Sequence, residues 1–460
     1  MNTLEDTIAA IETPLGEGGL AVIRISGKNA IAISDIYFKG KKTLAASQSH
    51  TAHFGNFLDK DGCAVDEVVA TIFLAPNSYT GDDVVEISCH GGIFIQKKIL
   101  SAVISGGAKL SEPGEFTKRR YLNGKIDLSQ AEAISDLIHS RSEFSHKASL
   151  NQLKGKLSEQ ITSIRNSLLD LCGLLELELD FVEEGYEFTD REKLESEIRL
   201  AQKKINYLLS SFRTGKFYRD GVKVVISGKP NSGKSSIFNA LLEDNRAIVT
   251  NIPGTTRDVI EEELILEGTI FRFFDTAGLR ATSDIVEAEG VRRSYEQISS
   301  SDLILRVFDC TEKDYLMDLE NELKNDNNNL NSIAIINKID LLTKEENKRL
   351  SLKYFDRPVI FTSALNWVGI KQLQAEILIK TIFRDGEMFN SNALTNIRHK
   401  QLLEKSAEKL ESSLITLKNS SSELLVTDIR SAMNYLGEIV GVVTTEELLN
   451  NIFSKFCIGK

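Results

Sequence analysis

Cysteine is scarce in this 460-residue chain. Cys63, Cys89, Cys172, Cys310 and Cys457 are an odd number, widely spaced, with no Cys-x-x-Cys pair. That argues against a disulfide framework or a thiolate zinc site, and for reduced thiols in a cytoplasmic setting. The six histidines form no ligand-like cluster. Basic charge is in deficit: 55 Lys and Arg against 66 Asp and Glu give a formal net charge of -11. This argues against a broad basic surface that wraps nucleic acid unaided, while leaving room for a local basic groove. Long hydrophobic runs are also missing. The longest, LLDLCGLLELELDFV, is broken by Asp170, Glu176, Glu178 and Asp180, so no membrane span is expected. The opening MNTLEDTIAAIETPLGEGG carries Glu5 and Asp6 and no basic stretch, so no secretory signal is expected. At 42% hydrophobic and 26% charged residues the composition is that of a globular protein, and the length suggests about three domains.

What is present falls into blocks. Up to about residue 120, the β-rich runs GLAVIRIS, DEVVATIFLA and DDVVEISCHGG are divided by turn signals such as PLGEGG and NSYTGDD. From about 125 to 215 the period becomes helical. Leu150, Leu153, Leu157, Ile161, Ile164, Leu168, Leu171 and Leu175 follow steps of three and four, the stripe of one long helix. Thr189 with Glu192 makes a capping box for a second helix, with Leu194, Ile198, Ala201, Ile205, Leu208 and Phe212 as its stripe. At GVKVVISGKPNSGKSS the pattern turns to strand, loop and helix, and the two signals alternate to about 380, as a doubly wound sheet requires. After 390, Leu403, Ala407, Leu410, Leu414 and Leu417 face one way, and Thr444 with Glu447 caps a last helix that runs into FCIGK. The expected fold class is α/β plus α: an N-terminal α+β domain (1–120), a helical domain in two parts (121–217 and 383–460) and an inserted P-loop domain (218–382).

GKPNSGKS, Gly228 to Ser235, fits the phosphate-loop pattern and has the required strand before it and helix after it. Backbone N–H groups of such a loop cradle phosphates at a helix N-terminus. Asn231, Ser232, Gly233, Lys234, Ser235 and Ser236 are the candidate contacts, with Lys234 reaching the β and γ phosphates and Ser235 binding magnesium. In DTAG, Asp275 suits a magnesium-holding carboxylate, and Thr276, Ala277 and Gly278 follow, the Gly278 N–H suiting the γ-phosphate. In NKID, Asn337, Lys338, Ile339 and Asp340, the Asp340 carboxylate can accept from guanine N1–H and the 2-amino group. Adenine would leave it unpaired, a loss that discriminates by about 10⁴ or more. Ser363, Ala364 and Leu365 would support the base. These ordered motifs predict GTP binding. Catalysis departs from the Ras pattern, because Leu279 stands where a water-positioning glutamine would be and no arginine finger is identifiable, although Arg257 and Arg280 lie nearby. Asn231 either helps hold a monovalent cation or serves loop geometry alone.

GTTRD (254–258), DTAGLR, DTIAAIETPLGEGGLAVIRISG, GEFTKRRYLNGKIDLSQAEAISDLI (114–138) and the terminal FCIGK together resemble the MnmE (TrmE) family of tRNA-modification GTPases, over essentially the full length. The resemblance implies an N-terminal folate-binding domain that dimerises, a helical domain and an inserted G domain whose transient pairing drives potassium-stimulated GTP hydrolysis. With a FAD-bearing partner, MnmG, it implies addition of a carboxymethylaminomethyl group to C5 of wobble uridine in certain tRNAs. By position, Asn231, Thr250, Ile252 and Thr255 look like the potassium shell, within a GTP-binding switch that also includes Asn251, Pro253 and Gly254. Ser235 and Thr256 look like magnesium ligands. Glu287 looks like the residue that orients the attacking water; on pattern alone it is a solvated carboxylate.

Arg24 and Glu86 each sit inside a β-run, and a charge there needs a partner. Either they pair with each other or, as the resemblance implies, they bind a tetrahydrofolate derivative (5-formyl or 5,10-methylene), with Glu86 on the pterin edge and Arg24, Lys125 and Lys460 as further ligands. Cys457, between Lys455 and Lys460, is a candidate thiol for the one-carbon chemistry, since nearby cations raise a thiolate fraction. The run Lys118, Arg119 and Arg120 is either a solvated face or a contact for tRNA or a partner. Two other readings remain: a ribosome-assembly GTP switch that transfers nothing, and a folate carrier gated by the G domain. No GXXG loop lies in a plausible KH pattern to favour the first.

Overall fold

The structure, a computed structural model, describes residues 6–180, 190–244, 261–275, 301–325, 331–354, 359–383, 393–418 and 422–460. Two compact units emerge. One comprises Met1–Ile138, Gln152–Gln202 and Leu402–Lys460; the other comprises His139–Asn151 and Lys203–Gln401.

The first unit is built on the strands β1 (Ile8–Ile11), β2 (Gly18–Ser26), β3 (Phe38–Gly40), β4 (Thr51–Leu58), β5 (Ala64–Phe73), β6 (Val84–Gly91) and β7 (Lys109–Leu110). They form one sheet in the order β3-β4-β5-β6-β2-β1-β7, antiparallel except for the β1–β7 pair. Strand alternation gives the sheet two different faces. On β2 and β6, Ala21, Ile23, Ile25, Val85 and Ile87 join the core beneath α1 (Ala30–Tyr37) and α2 (Ile93–Ser105). The intervening residues point the other way, where Ile8 and Ala10 pack on Phe116 of α3 (Glu115–Leu122). Register sets Arg24 directly opposite Glu86 on that second face.

Helices α4 (Leu128–His139), α5 (Glu143–Leu153), α6 (Lys156–Asp180) and α7 (Arg191–Ser210) follow. The single helix expected through Leu150 and Leu175 is therefore two. The ladder breaks where the Gly155 N–H turns back to the Gln152 carbonyl at 2.9 Å and Gln130 Nε2 takes the Leu153 carbonyl at 2.8 Å. Leu157 to Leu175 of the expected stripe are buried on α6, whereas α5 buries Ser145, Ala148, Ser149 and Gln152. At the start of α7 the cap is Asp190; the expected Thr189 lies outside the described residues. Asp190 Oδ1 accepts the Glu192 N–H at 2.9 Å and its carbonyl accepts the Leu194 N–H at 3.0 Å. Phe212, expected on the same stripe, opens α8 (Phe212–Asp220) instead.

The second unit carries β8 (Val222–Ser227), α9 (Lys234–Asp244), β9 (Glu261–Leu266), β10 (Thr269–Asp275), β11 (Leu303–Asp309), α10 (Tyr315–Asn325), β12 (Ser332–Asn337), α11 (Lys344–Lys353), β13 (Val359–Phe361) and α12 (Ile370–Thr381). The sheet order is β13-β12-β11-β8-β10-β9, parallel except for the β9–β10 hairpin. Its strands are near-continuous apolar runs, as a sheet buried on both faces requires. In such a sheet ligands bind beyond the carboxyl ends of the strands.

The chain closes with α13 (Ile397–Lys418), α14 (Ser422–Val440) and α15 (Glu446–Phe453). Thr445, one residue beyond the expected Thr444, caps α15 by accepting the Leu448 N–H at 3.3 Å. Its Leu449, Ile452 and Phe453, with Phe456, pack against Ile126, Leu128, Ala131 and Ile134.

Candidate functional site

In the second unit, β8 ends at Ser227 and α9 begins at Lys234, so residues 228–233 form a loop at the carboxyl end of a central strand. The first N–H groups of α9 have no intrahelical acceptor, and the helix dipole adds positive potential there. Lys234 Nζ folds back over the loop and donates to the carbonyls of Gly228 and Lys229, both at 2.8 Å. Gly233 admits no side chain: a Cβ there would lie 2.1 Å from Asn337 Nδ2. That amide donates to the Ser232 carbonyl at 3.0 Å. Its oxygen accepts from Thr362 Oγ1 at 3.2 Å and from the Ala364 N–H at 3.3 Å. Asn337 is almost wholly buried and acts as a brace between the phosphate loop and the segment 362–364. The Asp340 carboxylate is exposed, with Oδ1 held by Ser363 Oγ at 2.5 Å. Leu365, two residues beyond Ser363, is 81% exposed. This arrangement offers donors for phosphate at one end and a fixed carboxylate for paired ring donors at the other.

The first unit gathers a second polar cluster on the sheet face away from α1 and α2. Arg24 Nε and Nη2 both donate to Glu86 Oε1, at 3.0 and 2.6 Å. Arg24 also pairs with Glu12, which follows β1. The Arg24 guanidinium lies 4.6 Å from the Tyr79 ring centroid, and that of Arg120 lies 4.8 Å from the same ring. Burial raises the Glu12 carboxyl above its ordinary pKa; Arg24 opposes this, Glu86 reinforces it and the Lys460 charge opposes it. Lys460 reaches this neighbourhood because the tail is docked. The Gly114 N–H donates to the Cys457 carbonyl at 3.4 Å, and Gly459, at φ +94°, lies so close to Ile11 and Glu12 that a Cβ would be 2.7 Å from the Ile11 oxygen. Cys457 itself is exposed.

The family model described as GTP-binding protein TrmE N-terminus matches residues 7–125, and that described as MnmE helical domain matches residues 128–457. The chain belongs to the MnmE (TrmE) family. It is 40% identical to the tRNA modification GTPase MnmE of Flavobacterium johnsoniae and 43% identical to that of Salinibacter ruber, each alignment covering 99% of both chains. Among solved structures, the G domain of the T. maritima FeoB iron transporter is 29% identical over 35% of this chain and 98% of its own, with a TM-score of 0.26; that likeness carries no part of the assignment.

Of the positions singled out from the nucleotide motifs, Ser232, Asn337 and Ala364 are joined through the Asn337 amide, and Ser363 holds Asp340. Asp275 closes β10. Thr250, Asn251, Ile252, Pro253, Gly254, Thr255, Thr256, Thr276, Ala277, Gly278 and Glu287 lie outside the described residues, as do Arg257, Leu279 and Arg280. In the first unit Arg24 and Glu86 do pair, and Lys460 joins them through Glu12. Lys125 is set beside the turn that follows Tyr79, where a Cβ on Gly81 would be 3.2 Å from its Cε. The basic run needs correction as a surface. Arg119 is 2% exposed and is held by the Asp6 carbonyl and Glu115, because a guanidinium buried under the sheet must satisfy its donors there. Arg120 stacks on Tyr79, and Lys118 donates to Asn450. Sequence reasoning missed Glu12, Tyr79, Thr362 and Asp309. For Glu12 a signal existed, a carboxylate ending the apolar run IAAI.

Proposed function

We propose that this chain hydrolyses GTP as a step in tRNA modification, the activity for which its full-length relatives are named. The observation that carries the nucleotide half is the Asn337 brace, which joins the phosphate loop to the strand end beside Asp340 and so makes one binding site of separate motifs. In this reading the first-turn N–H groups of α9 and Lys234 hold the phosphates, and Asp340 selects guanine over adenine. Ser235 and Thr256 would hold magnesium, which would supply charge against the developing phosphate negative charge. Asn231, Thr250, Ile252 and Thr255 would hold potassium, which would take the place of an arginine finger's charge. The left-handed backbone of Asn231, at φ +62°, turns an exposed side chain out of the loop, which suits that role. Glu287 orients the water that Leu279 cannot.

The same proposal assigns residues 1–120 to a folate-binding and dimerising domain, 121–217 and 383–460 to a helical domain and 218–382 to the G domain, in a cytoplasmic homodimer. The Arg24 cluster fits a folate: Glu86 keeps its side chain 25% exposed while Arg24, stacked on the Tyr79 ring, is nearly buried, so a partly exposed carboxylate remains as an acceptor. Lys125 and Lys460 add positive charge for the ligand's carboxylates. A bound tetrahydrofolate derivative would supply the one-carbon unit, and a FAD-containing partner, MnmG in this family, would share the installation of carboxymethylaminomethyl at C5 of wobble uridine. Cys457 is the candidate thiol. The test is mass spectrometry of tRNA nucleosides from a strain lacking this chain, expected to show loss of the wobble-uridine group. Nucleoside profiles identical to the parent's would leave a GTP switch without transfer chemistry. GTPase rates in potassium and in sodium test Asn231; equal rates would remove it from the cation shell.

A further inference from the structure

The turn that leaves β11 belongs to no nucleotide motif, yet it grips two of them. Asp309, the last residue of β11, is 7% exposed. Its Oδ1 accepts the Thr311 N–H at 2.9 Å and Thr311 Oγ1 at 2.7 Å, and its Oδ2 accepts Lys338 Nζ at 2.5 Å. The next residue holds the same lysine from its other end: Cys310 Sγ lies 3.1 Å from the Lys338 carbonyl, and the Cys310 N–H donates to the Asn337 carbonyl at 3.2 Å. Lys338 needs this support, because its backbone sits at φ +64°, a left-handed conformation that an L side chain keeps only where its surroundings enforce it. Two residues further on, Glu312 pairs with Lys229 of the phosphate loop at 3.2 Å, joined by Asp318 at 2.7 Å. The Lys229 carbonyl is in turn an acceptor for Lys234.

We propose that Asp309 is a positioning residue for nucleotide binding: by anchoring the ammonium of Lys338 it fixes the left-handed step that carries the chain from Asn337 to Asp340. The proposal rests on the GTP reading above. Asp309 does not touch the nucleotide. It orders a long, rotamer-rich side chain and a strained backbone before the ligand arrives, so binding does not have to supply that order. Hydrogen bonds to an ionised, nearly buried carboxylate are the strong kind, which makes Asp309 the residue to test in preference to the exposed Lys229 pairs.

Binding of GMP, GDP and GTP to the full chain is read from the fluorescence of Trp367, the single tryptophan, four residues beyond Ser363. Asp309→Asn is expected to raise Kd for all three by the same factor, about tenfold, since the loss lies away from the phosphates. Lys338→Met is expected to weaken binding as well, and the double variant no further than Lys338→Met alone, because Asp309 acts through that lysine. A Kd for Asp309→Asn within twofold of the parent, or losses that add in the double variant, would overturn the proposal. Should Asp309→Asn fail to accumulate as folded protein, Thr311→Val removes one hydrogen bond that aims the carboxylate. It is expected to weaken binding about threefold, again only while Lys338 is present; no effect, or an additive one, overturns the proposal equally. If the parent chain itself binds no guanine nucleotide, it is the GTP reading that fails.

Discussion

Replacing Gly459 with alanine isolates the docking of the C-terminal tail from the stability of everything around it. The native φ of +94° costs an alanine about 1–2 kcal/mol. The new Cβ would stand 2.7 Å from the Ile11 oxygen and 3.0 Å from the Glu12 Cα, both backbone atoms of the sheet, and overpacking of this kind costs about 1–3 kcal/mol. The tail is tied through its backbone by the Gly114 N–H to the Cys457 carbonyl at 3.4 Å, while the Lys460 N–H bond to that same oxygen, at 3.3 Å, lies within the tail. Detachment is therefore the cheapest relief, while Leu449, Ile452 and Phe453 keep α15 in place. A penalty of at least about 2 kcal/mol lowers the equilibrium constant for docking roughly 30-fold. Native-state hydrogen exchange reads this directly: the Gly114 amide is expected to exchange faster in Gly459→Ala, and carboxypeptidase to trim the last residues faster, with the melting temperature nearly unchanged. Parent-like exchange at Gly114 would refute the steric argument and, with it, the placement of Lys460 beside Glu12.

Burial pushes the Cys89, Cys172 and Cys310 thiols up to about 11, whereas Cys63 and Cys457 are exposed. A thiol reagent at pH 8 is therefore expected to titrate Cys63 and Cys457 in the native chain and the other three only after unfolding; peptide mapping of the labelled sites checks this. Asp340→Asn replaces an acceptor with a donor opposite the guanine 2-amino group, so GTP affinity should fall on the order of 10⁴-fold while xanthosine triphosphate binding improves, as competition binding would show. Burial works to raise the Asp309 carboxyl, but the bonds from Lys338 and Thr311 outweigh it and hold it below the ordinary value. Asp309 thus contributes stability above the ordinary pKa of about 3.9, and that contribution is lost as pH falls through the lower folded value. The gap in urea midpoint between parent and Asp309→Asn should close on acidification below about pH 4; a constant gap would place the effect elsewhere.

Much of the first unit's architecture was readable as alternation. β2, β5 and β6 coincide with the runs GLAVIRIS, DEVVATIFLA and DDVVEISCHGG, because one face of each is apolar. The helices were readable as stripes, but their ends were not. The helix stops at Gly155, whose φ of +84° ends the turn locally, and Gln130, from another helix, captures the Leu153 carbonyl, a bond that no local period encodes. The cap of the last helix shifted by one residue, to Thr445, because its neighbour Thr444 has the same capping propensity and the pattern alone does not choose between them. The basic run from Lys118 to Arg120 read as a surface because charge is normally solvated; the burial of Arg119 within it depends on which face of α3 meets the sheet.

By itself the sequence determined the chemistry at each motif. GKPNSGKS, NKID and the terminal FCIGK name groups whose donors and acceptors are set by residue type and short spacing. Only the tertiary structure decided what those groups are held by. Arg24 meets Glu86 across 62 residues through strand register, Asn337 braces Ser232 across 105, and Asp309 reaches Lys338 across 29. Such pairings depend on which strands become neighbours, and strand order is fixed by burial of whole faces rather than by any local signal.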